Sequence, residues 1–455
     1  MAQRCVCLLA LAATLLLVFP TVSRSMGLKS KEHQRASRIP SQFSKEERVA
    51  MKEALKGAIQ IPTVTFSSEK SNTTALAEFG KYIHKVFPTV VSTSFIQHEV
   101  VEEYSHLFTI QGSDPSLQPY LLMAHFDVVP APEEGWEVPP FSALERDGVI
   151  YGRGTLDDKN SVMALLQALE LLLIRKYIPQ RSFFISLGHD EESSGTGAQK
   201  ISALLQSRGV QLAFIVDKGG FILDDFIPNF KKPIALIAVS EKGSMNLMLQ
   251  VNMTSGHSSA PPKETSIGIL AAAISRLEQT PMPIIFGSGT VVTVLRQVAN
   301  EMNVIPPVAQ ATVNFRIHPE QTVQEVVELT KNIVADNRVQ FHVLSAFDPL
   351  PISPYDDKAL GYQLLRQTVQ SVFPEVNITV PVTSVGNTDS RFFTNLTTGI
   401  YRFYPIYIQP EDFKRIHGVN EKISVQAYET QVKFIFELIQ NADTDQEPVS
   451  HLHKL

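Results

Sequence analysis

Three short apolar runs in this chain end on, or just before, residues that bind metals, and that pairing constrains the fold more than any other feature. YLLMA leads into His125 and Asp127, SFFISLG into Glu191 and Glu192, and AFIV into Asp217. A fourth acidic pair, Asp157 and Asp158, lies in the segment YGRGTLDDKN. Short branched or aromatic runs bounded by turn residues are the pattern of buried parallel strands. In an open α/β sheet, ligands bind just past the carboxyl ends of such strands. Four loops at one sheet edge would bring imidazole and carboxylate groups to a common point. That mixture of nitrogen and oxygen donors suits zinc and similar cations. Singly, each loop has a plainer reading: a His-x-Asp after a strand is more often a hydrogen-bonded turn, and an acidic pair a solvated loop. The recurrence of the pattern, with Gly152 and Gly154 in one loop and Gly219 and Gly220 in another, favours an ion site.

The rest of the chain supplies the layers such a sheet needs. Ser44 with Glu47 forms a capping box that opens a helix running to about residue 59. Further helices are expected over residues 74–87, 158–176 and 197–207, alternating with HLFTIQG, YLLMA, SFFISLG and AFIVD as strands. The alternation predicts βαβ units and a mostly parallel sheet, hence an α/β fold. The texture changes near residue 241. SMNLMLQV, a helix over 266–279, ATVNFRIHP, a helix over 323–335 and VQFHVLS read as a smaller inserted α/β sandwich. From residue 354 the first pattern resumes, with a helix near 360–372, strands NITVPV and GIYRFYP, and a final helix over 425–441. The expected organisation is a signal peptide over 1–25, a loose arm over 26–43, a catalytic domain in two parts (44–240 and 354–442), a lid over 241–353 and a disordered tail over 443–455.

Composition narrows the function. A net charge of −6 across 455 residues argues against a nucleic-acid or anionic-membrane surface. Arg4, the apolar run CVCLLALAATLLLVF, Pro20 and the small residues after it have the layout of a cleavable secretory signal, too short for a confident membrane span. No later stretch is long and apolar enough to span a bilayer. The chain is therefore expected to be secreted and extracellular. Both cysteines, Cys5 and Cys7, fall in the signal, which excludes thiolate ligands and disulfides from the mature chain. Sequons at Asn72, Asn252, Asn377 and Asn395 fit passage through a glycosylating compartment.

With HFDVVP, YGRGTLDDK, HDEESSGTGA, SGHSSAPP, NVIPP, GNTDSRFF and IHGVNE in this order, the chain resembles the aminoacylase, carnosinase and Gly-X carboxypeptidase group of co-catalytic zinc hydrolases, metallopeptidase clan MH. The resemblance covers nearly the whole mature chain. It implies a zinc-exopeptidase-like catalytic domain with an inserted lid, and a possible homodimer through that lid. It also implies His125, Asp157, Glu192, Asp217 and His417 as ligands of two zinc ions, Asp157 bridging them. Asp127 is implied to orient His125, Glu191 to be the general base, and His257 to stabilise the oxyanion. Arg391 is expected to grip a substrate carboxylate and Asn303 to add a hydrogen bond, whereas Arg316 reads as structural. The chemistry agrees: a carboxylate beside a ligating imidazole fixes its tautomer, and a non-ligating carboxylate is needed to move the proton of the attacking water. Manganese or cobalt would suit the same donors.

The expected activity is hydrolysis of small-molecule N-acyl amino acids. From the resemblance alone come a long fatty acyl group and the reverse condensation. A carboxypeptidase or dipeptidase is the alternative within the same chemistry. Two departures from the family pattern favour a third possibility, a metal-binding but catalytically impaired form. Lys218 stands where the family reads Glu, and a cation roughly 6 Å from a dication would cost about 5 kcal/mol at an effective dielectric of 20. In addition, Glu301 and Met302 join TVVTVLRQVAN to NVIPP without the intervening stretch of relatives. A missing central strand is expected to leave unpaired backbone groups in the lid sheet.

Overall fold

The structure is a computed structural model that describes residues 38–67, 69–224, 232–257, 262–280, 292–298 and 304–443. The expected signal, most of the arm, nearly all of the tail and Asn303 lie outside the described residues. The described chain forms two compact units. One comprises Ser240–Pro351 with Val385–Asn387; the other holds the remaining described residues.

In the larger unit, an eight-stranded sheet has a parallel centre and antiparallel margins. Tyr120–His125 pairs in parallel with Phe183–Gly188 on one side and Ile215–Leu223 on the other; Ile400–Ile408 extends the parallel set beyond Ile215–Leu223. Every residue of Tyr120–His125 and of Phe183–Gly188 is buried, as expected of strands covered on both faces. Ser105–Ile110 and Ile96–Val101 continue one margin antiparallel, and Ile234–Glu241 lies antiparallel to Ile400–Ile408 near the other.

The helices behave as their patterns require. Lys45–Ile59 opens with the capping box of Ser44 and Glu47. Lys159–Ile174 is apolar nearly all round and buries all but Ser161 and Ile174, so it is a core helix rather than a surface one. Its first residue, Lys159, is fully buried and donates to the carbonyls of Ala58 and Ile61. Burial pushes that amine down to about 7. Among the described residues, no helix is long and apolar enough to cross a membrane.

Three histidines form a relay from the surface inward at the antiparallel margin. His84 Nε2 meets His98 Nδ1 at 3.1 Å, and His98 Nε2 meets His106 Nδ1 at 2.9 Å. Gly80 makes room for this stack, since a Cβ there would lie 3.0 Å from His106 Cε1. Burial, reinforced by the neighbouring rings, holds His98 down to about 4 and His106 down to about 3. An unfolded histidine takes its proton near 6.5. Below that pH the unfolded chain binds more protons than the folded one, so stability is lost as pH falls from about 6.5 towards 4. The thermal midpoint should drop across that window, and His98→Phe should flatten the drop, as calorimetry at pH 7 and pH 5 would show. An unchanged slope in the variant would remove the relay as its cause.

The smaller unit is an antiparallel sheet in the order Val292–Val298, Val308–Ile317, Gly243–Asn252, Val339–Phe347. The two central strands alternate buried and half-buried residues, and the helices Ser266–Gln279 and Val323–Val334 pack on the sheet. The gap expected near residue 300 is corrected here. Val292–Val298 pairs with Val308–Ile317 from Val292↔Asn314 to Val298↔Val308, so the inner strands have partners on both sides.

Candidate metal centre

Strand register sets the site. His125 is the last residue of its strand and pairs with Gly188, after which the chain turns to present Glu191 and Glu192. Asp217 sits in the adjoining parallel strand, opposite Arg402. The carboxyl ends of two neighbouring strands thus deliver His125 and Glu192, the strand Ile215–Leu223 carries Asp217 near its start, and the loop before helix Lys159–Ile174 delivers Asp157.

Asp157 faces two ways. Its Oδ1 lies 3.2 Å from His125 Nε2, and its Oδ2 lies 3.1 Å from His417 Nε2. His417 Nε2 is also 3.1 Å from Glu192 Oε1. Donor atoms of His125, Asp157 and Glu192 fall within 4.8 Å of one another. One carboxylate therefore has a separate imidazole partner for each oxygen, the arrangement a bridging ligand requires. His417 adopts a left-handed backbone, φ 60°, uncommon for a residue with a side chain. Its hydrogen bonds to Asp157 and Glu192 push it up to about 10.

Asp127 is fully buried beside the first imidazole. Its carbonyl lies 3.0 Å and its Oδ1 3.2 Å from His125 Nδ1, while its carboxylate accepts from the Glu191 and Glu192 N–H groups at 3.0 and 3.2 Å. This places the ring proton on Nδ1 and turns the Nε2 lone pair inward. Glu191 Oε2 is 3.6 Å from that Nε2. Glu191 Oε1 accepts no hydrogen bond, and burial pushes the carboxyl up to about 7. Asp158, which accepts from the His125 backbone N–H at 3.3 Å, is pushed by burial up to about 8.

Asp217 stands apart from this cluster in its hydrogen bonding. Oδ1 accepts from the Lys218 N–H at 2.8 Å and Oδ2 from the Ser390 N–H at 3.2 Å. Lys218 instead reaches in. Its Nζ is 2.5 Å from both His125 Nε2 and Asp157 Oδ1, and 3.4 Å from Glu191 Oε1. Burial opposes the charge, but the carboxylates of Asp157, Glu191, Glu192 and Asp158 outweigh it and hold the amine well above the usual lysine range. The donor set otherwise fits a divalent cation of zinc type.

Arg391 lies in the turn Asp389–Phe393, its guanidinium 4.5 Å from the Phe392 ring centroid. Arg316 donates to Asn387 Oδ1 at 2.6 Å within the smaller unit, a structural contact. The backbone of Gly256–His257 pairs with Val304–Ile305 in the same unit. Asn252, Asn377 and Asn395 are exposed. Asn72 is half-buried and caps the helix Thr73–Val86, with Oδ1 accepting from Ala75 N and Nδ2 donating to the Pro62 carbonyl.

Three supporting residues escaped sequence reasoning. Glu421 is completely buried and accepts from the N–H groups of Gly154, Leu156 and Asp157 at 3.1, 2.6 and 3.1 Å. Arg153 donates Nη1 to Glu421 at 2.8 Å and Nη2 to the Gly418 carbonyl at 2.7 Å, so this pair joins the Asp157 loop to the His417 loop. Asp389 is also buried, and burial with the nearby Glu191 charge raises its carboxyl well above the ordinary value. Glu421 sits in IHGVNE and Asp389 in GNTDSRFF; an acidic residue inside each motif was the available signal.

A family model described as Peptidase family M20/M25/M40 matches residues 121–441. An N-fatty-acyl-amino acid synthase/hydrolase of Homo sapiens is 86% identical over 502 aligned positions, covering 100% of both chains. Those positions outnumber the 455 residues here, so the relative carries residues without a counterpart in this chain. The Bos taurus synthase/hydrolase is 68% identical, again over 100% of both. Among solved structures, human carnosine dipeptidase 1 superposes with a TM-score of 0.65 at 15% identity, covering 88% of this chain and 97% of that one. An M20 family metallo-carboxypeptidase from Sulfolobus solfataricus gives 0.64 at 17% identity, covering 88% and 100%.

Proposed function

The chain belongs to the peptidase family M20/M25/M40, and on that premise we propose that it hydrolyses N-fatty-acyl amino acids, and condenses them in reverse, with two zinc ions that His125, Asp157, Glu192, Asp217 and His417 would hold. The observation that carries the two-metal reading is that Asp157 presents one oxygen to His125 and the other to His417, whose Nε2 also meets Glu192. The acyl-amino-acid substrate is taken from the synthase/hydrolase relatives at 86% and 68% identity.

Zinc held there would lower the pKa of a bound water and polarise the amide carbonyl. The remaining work falls to the chain's own groups. Asp127 holds the His125 proton on Nδ1, leaving Nε2 free to ligate. Glu191 carries no ligand duty and keeps an oxygen without a hydrogen bond, so it can take the water proton and pass it to the leaving amine. Asp217 would complete the ligand set, since each of its oxygens accepts one backbone N–H and keeps a further lone pair. Arg391, on the turn whose Ser390 N–H meets Asp217, would receive the free carboxylate of the amino-acid product. Arg391→Ala should raise KM for N-acyl amino acids by about tenfold while sparing kcat, the loss expected of a charged hydrogen bond. A fall in kcat at unchanged KM would reject that role.

The deciding experiment offers the purified chain N-oleoyl amino acid and dipeptide, with and without chelator. Chelator-sensitive release of fatty acid, faster than dipeptide cleavage, is the expected result; faster dipeptide cleavage would sink the lipid assignment. We also propose that the chain acts outside the cell, on the strength of its first 25 residues and four sequons. Glycopeptide mass spectrometry of the mature protein should find glycan on Asn252, Asn377 and Asn395, with Asn72 least occupied because both ends of its amide are engaged. An unprocessed, unglycosylated chain would argue against secretion.

A further inference from the structure

The pocket already contains a cation of the chain's own. Lys218 Nζ contacts His125 Nε2 and Asp157 Oδ1, both at 2.5 Å, and these are the donors facing one half of the pocket. The other half, formed by Glu192 Oε1, His417 Nε2 and Asp157 Oδ2, is paired without it. The lysine side chain keeps 15% exposure, so its ammonium has traded most of its water for these contacts. No rearrangement of the strand brings it there. Lys218 follows Asp217 in the strand Ile215–Leu223, and its own N–H is tied back to Asp217 Oδ1.

Resting on the two-zinc reading, we propose that Lys218 is a tethered competitor for the metal on the His125 side, so the two zinc ions load with unequal affinity. The argument is one of lone pairs. With Nδ1 engaged by Asp127, His125 has a single lone pair left on Nε2, and it can accept from the Lys218 ammonium or bind a metal, not both. Asp217, the neighbouring donor, already accepts one backbone N–H on each oxygen. The second zinc must therefore expel the ammonium from His125 and Asp157 before it can bind, and this lowers its apparent affinity by the fraction of chains in the expelled state. At the other half, His417 Nε2 meets Asp157 Oδ2 and Glu192 Oε1, groups of the site itself, and no tethered ammonium stands between them. A one-zinc form at low free zinc is the consequence.

The test counts bound zinc on the full-length, metal-stripped chain equilibrated with graded zinc buffers, for the wild-type chain and for Lys218→Met and Lys218→Glu. The wild type should take up one zinc first and the second only at about 10²–10³-fold higher free zinc, the scale set by separating a buried ion pair. Both variants should load two zinc ions over a single range. Circular dichroism of each chain confirms that the comparison is between folded proteins, and Lys218→Met keeps the length of the side chain while removing its charge. Equal loading curves for wild type and variants, at any stoichiometry, would overturn the proposal. Fully loaded Lys218→Met that fails to hydrolyse N-oleoyl amino acid would overturn the function proposed above and leave the competition standing.

Discussion

Glu191→Gln should leave zinc binding intact and lower kcat for N-acyl amino acid hydrolysis by about 10²–10⁴-fold, the range for loss of a general base. The substitution keeps the side chain's shape and removes its ability to take a proton. Its neighbour Glu192 is the one in contact with His417, so the ligand geometry need not change. Glu191 approaches the imidazole only at 3.6 Å, and its Oε1 faces the Lys218 ammonium at 3.4 Å without a hydrogen bond, so neither oxygen is committed to a ligand contact. Paired measurements of zinc content and single-turnover hydrolysis would check this. A variant that loses zinc together with rate would show Glu191 to be a ligand instead.

Glu421→Ala should be the most damaging change to the cradle, although Glu421 contacts no proposed ligand side chain. The carboxylate is wholly buried, receives three backbone N–H groups and pairs with Arg153. Removing it strands the Arg153 charge inside the protein and leaves those amides unsatisfied, a loss of about 3–5 kcal/mol. Urea unfolding of the metal-free chain should show that loss as a lower midpoint. Zinc affinity should fall as well, because the Asp157 N–H loses its anchor. A stable variant with normal zinc binding would mean that the amides find other partners.

Much of the fold was readable because two of the strands that carry the site are short apolar runs buried throughout. YLLMA and SFFISLG are buried at every residue, and the donors follow directly at their carboxyl ends. The eight helices expected from periodicity and capping appear with ends shifted by one or two residues. Less legible were the margins. Ile96–Val101 is half-buried along most of its length, and its alternation is too weak to announce a strand. IALIAVSE, as Ile234–Glu241, lies next to the boundary between the units, where the change of texture concealed an antiparallel partner.

Within the site, local sequence revealed the donors and not their supports. The Arg153–Glu421 pair joins residues 268 apart, and no local spacing encodes it. The side-chain direction of Lys218 was equally hidden. Charge alone allowed it to point to solvent, but the surrounding carboxylates draw it inward. Asp217 reads as a ligand in sequence and is held in the structure by two backbone amides, because Lys218 and Ser390 happen to present N–H groups to it.

The same clamp has a bearing on when, during folding, the centre can exist. His125, Asp157, Glu192 and Asp217 are all present in the first half of the chain, but Glu421 and His417 come near its end. Closing so long a loop carries an entropy cost that precedes any gain from the contacts it makes. A nascent chain halted before residue 417 would hold most of the donors without the backbone anchor that aligns them. A metal held by all five groups would therefore have to wait until residue 417 has been made, and the segment carrying His417 and Glu421 would complete the donor set last.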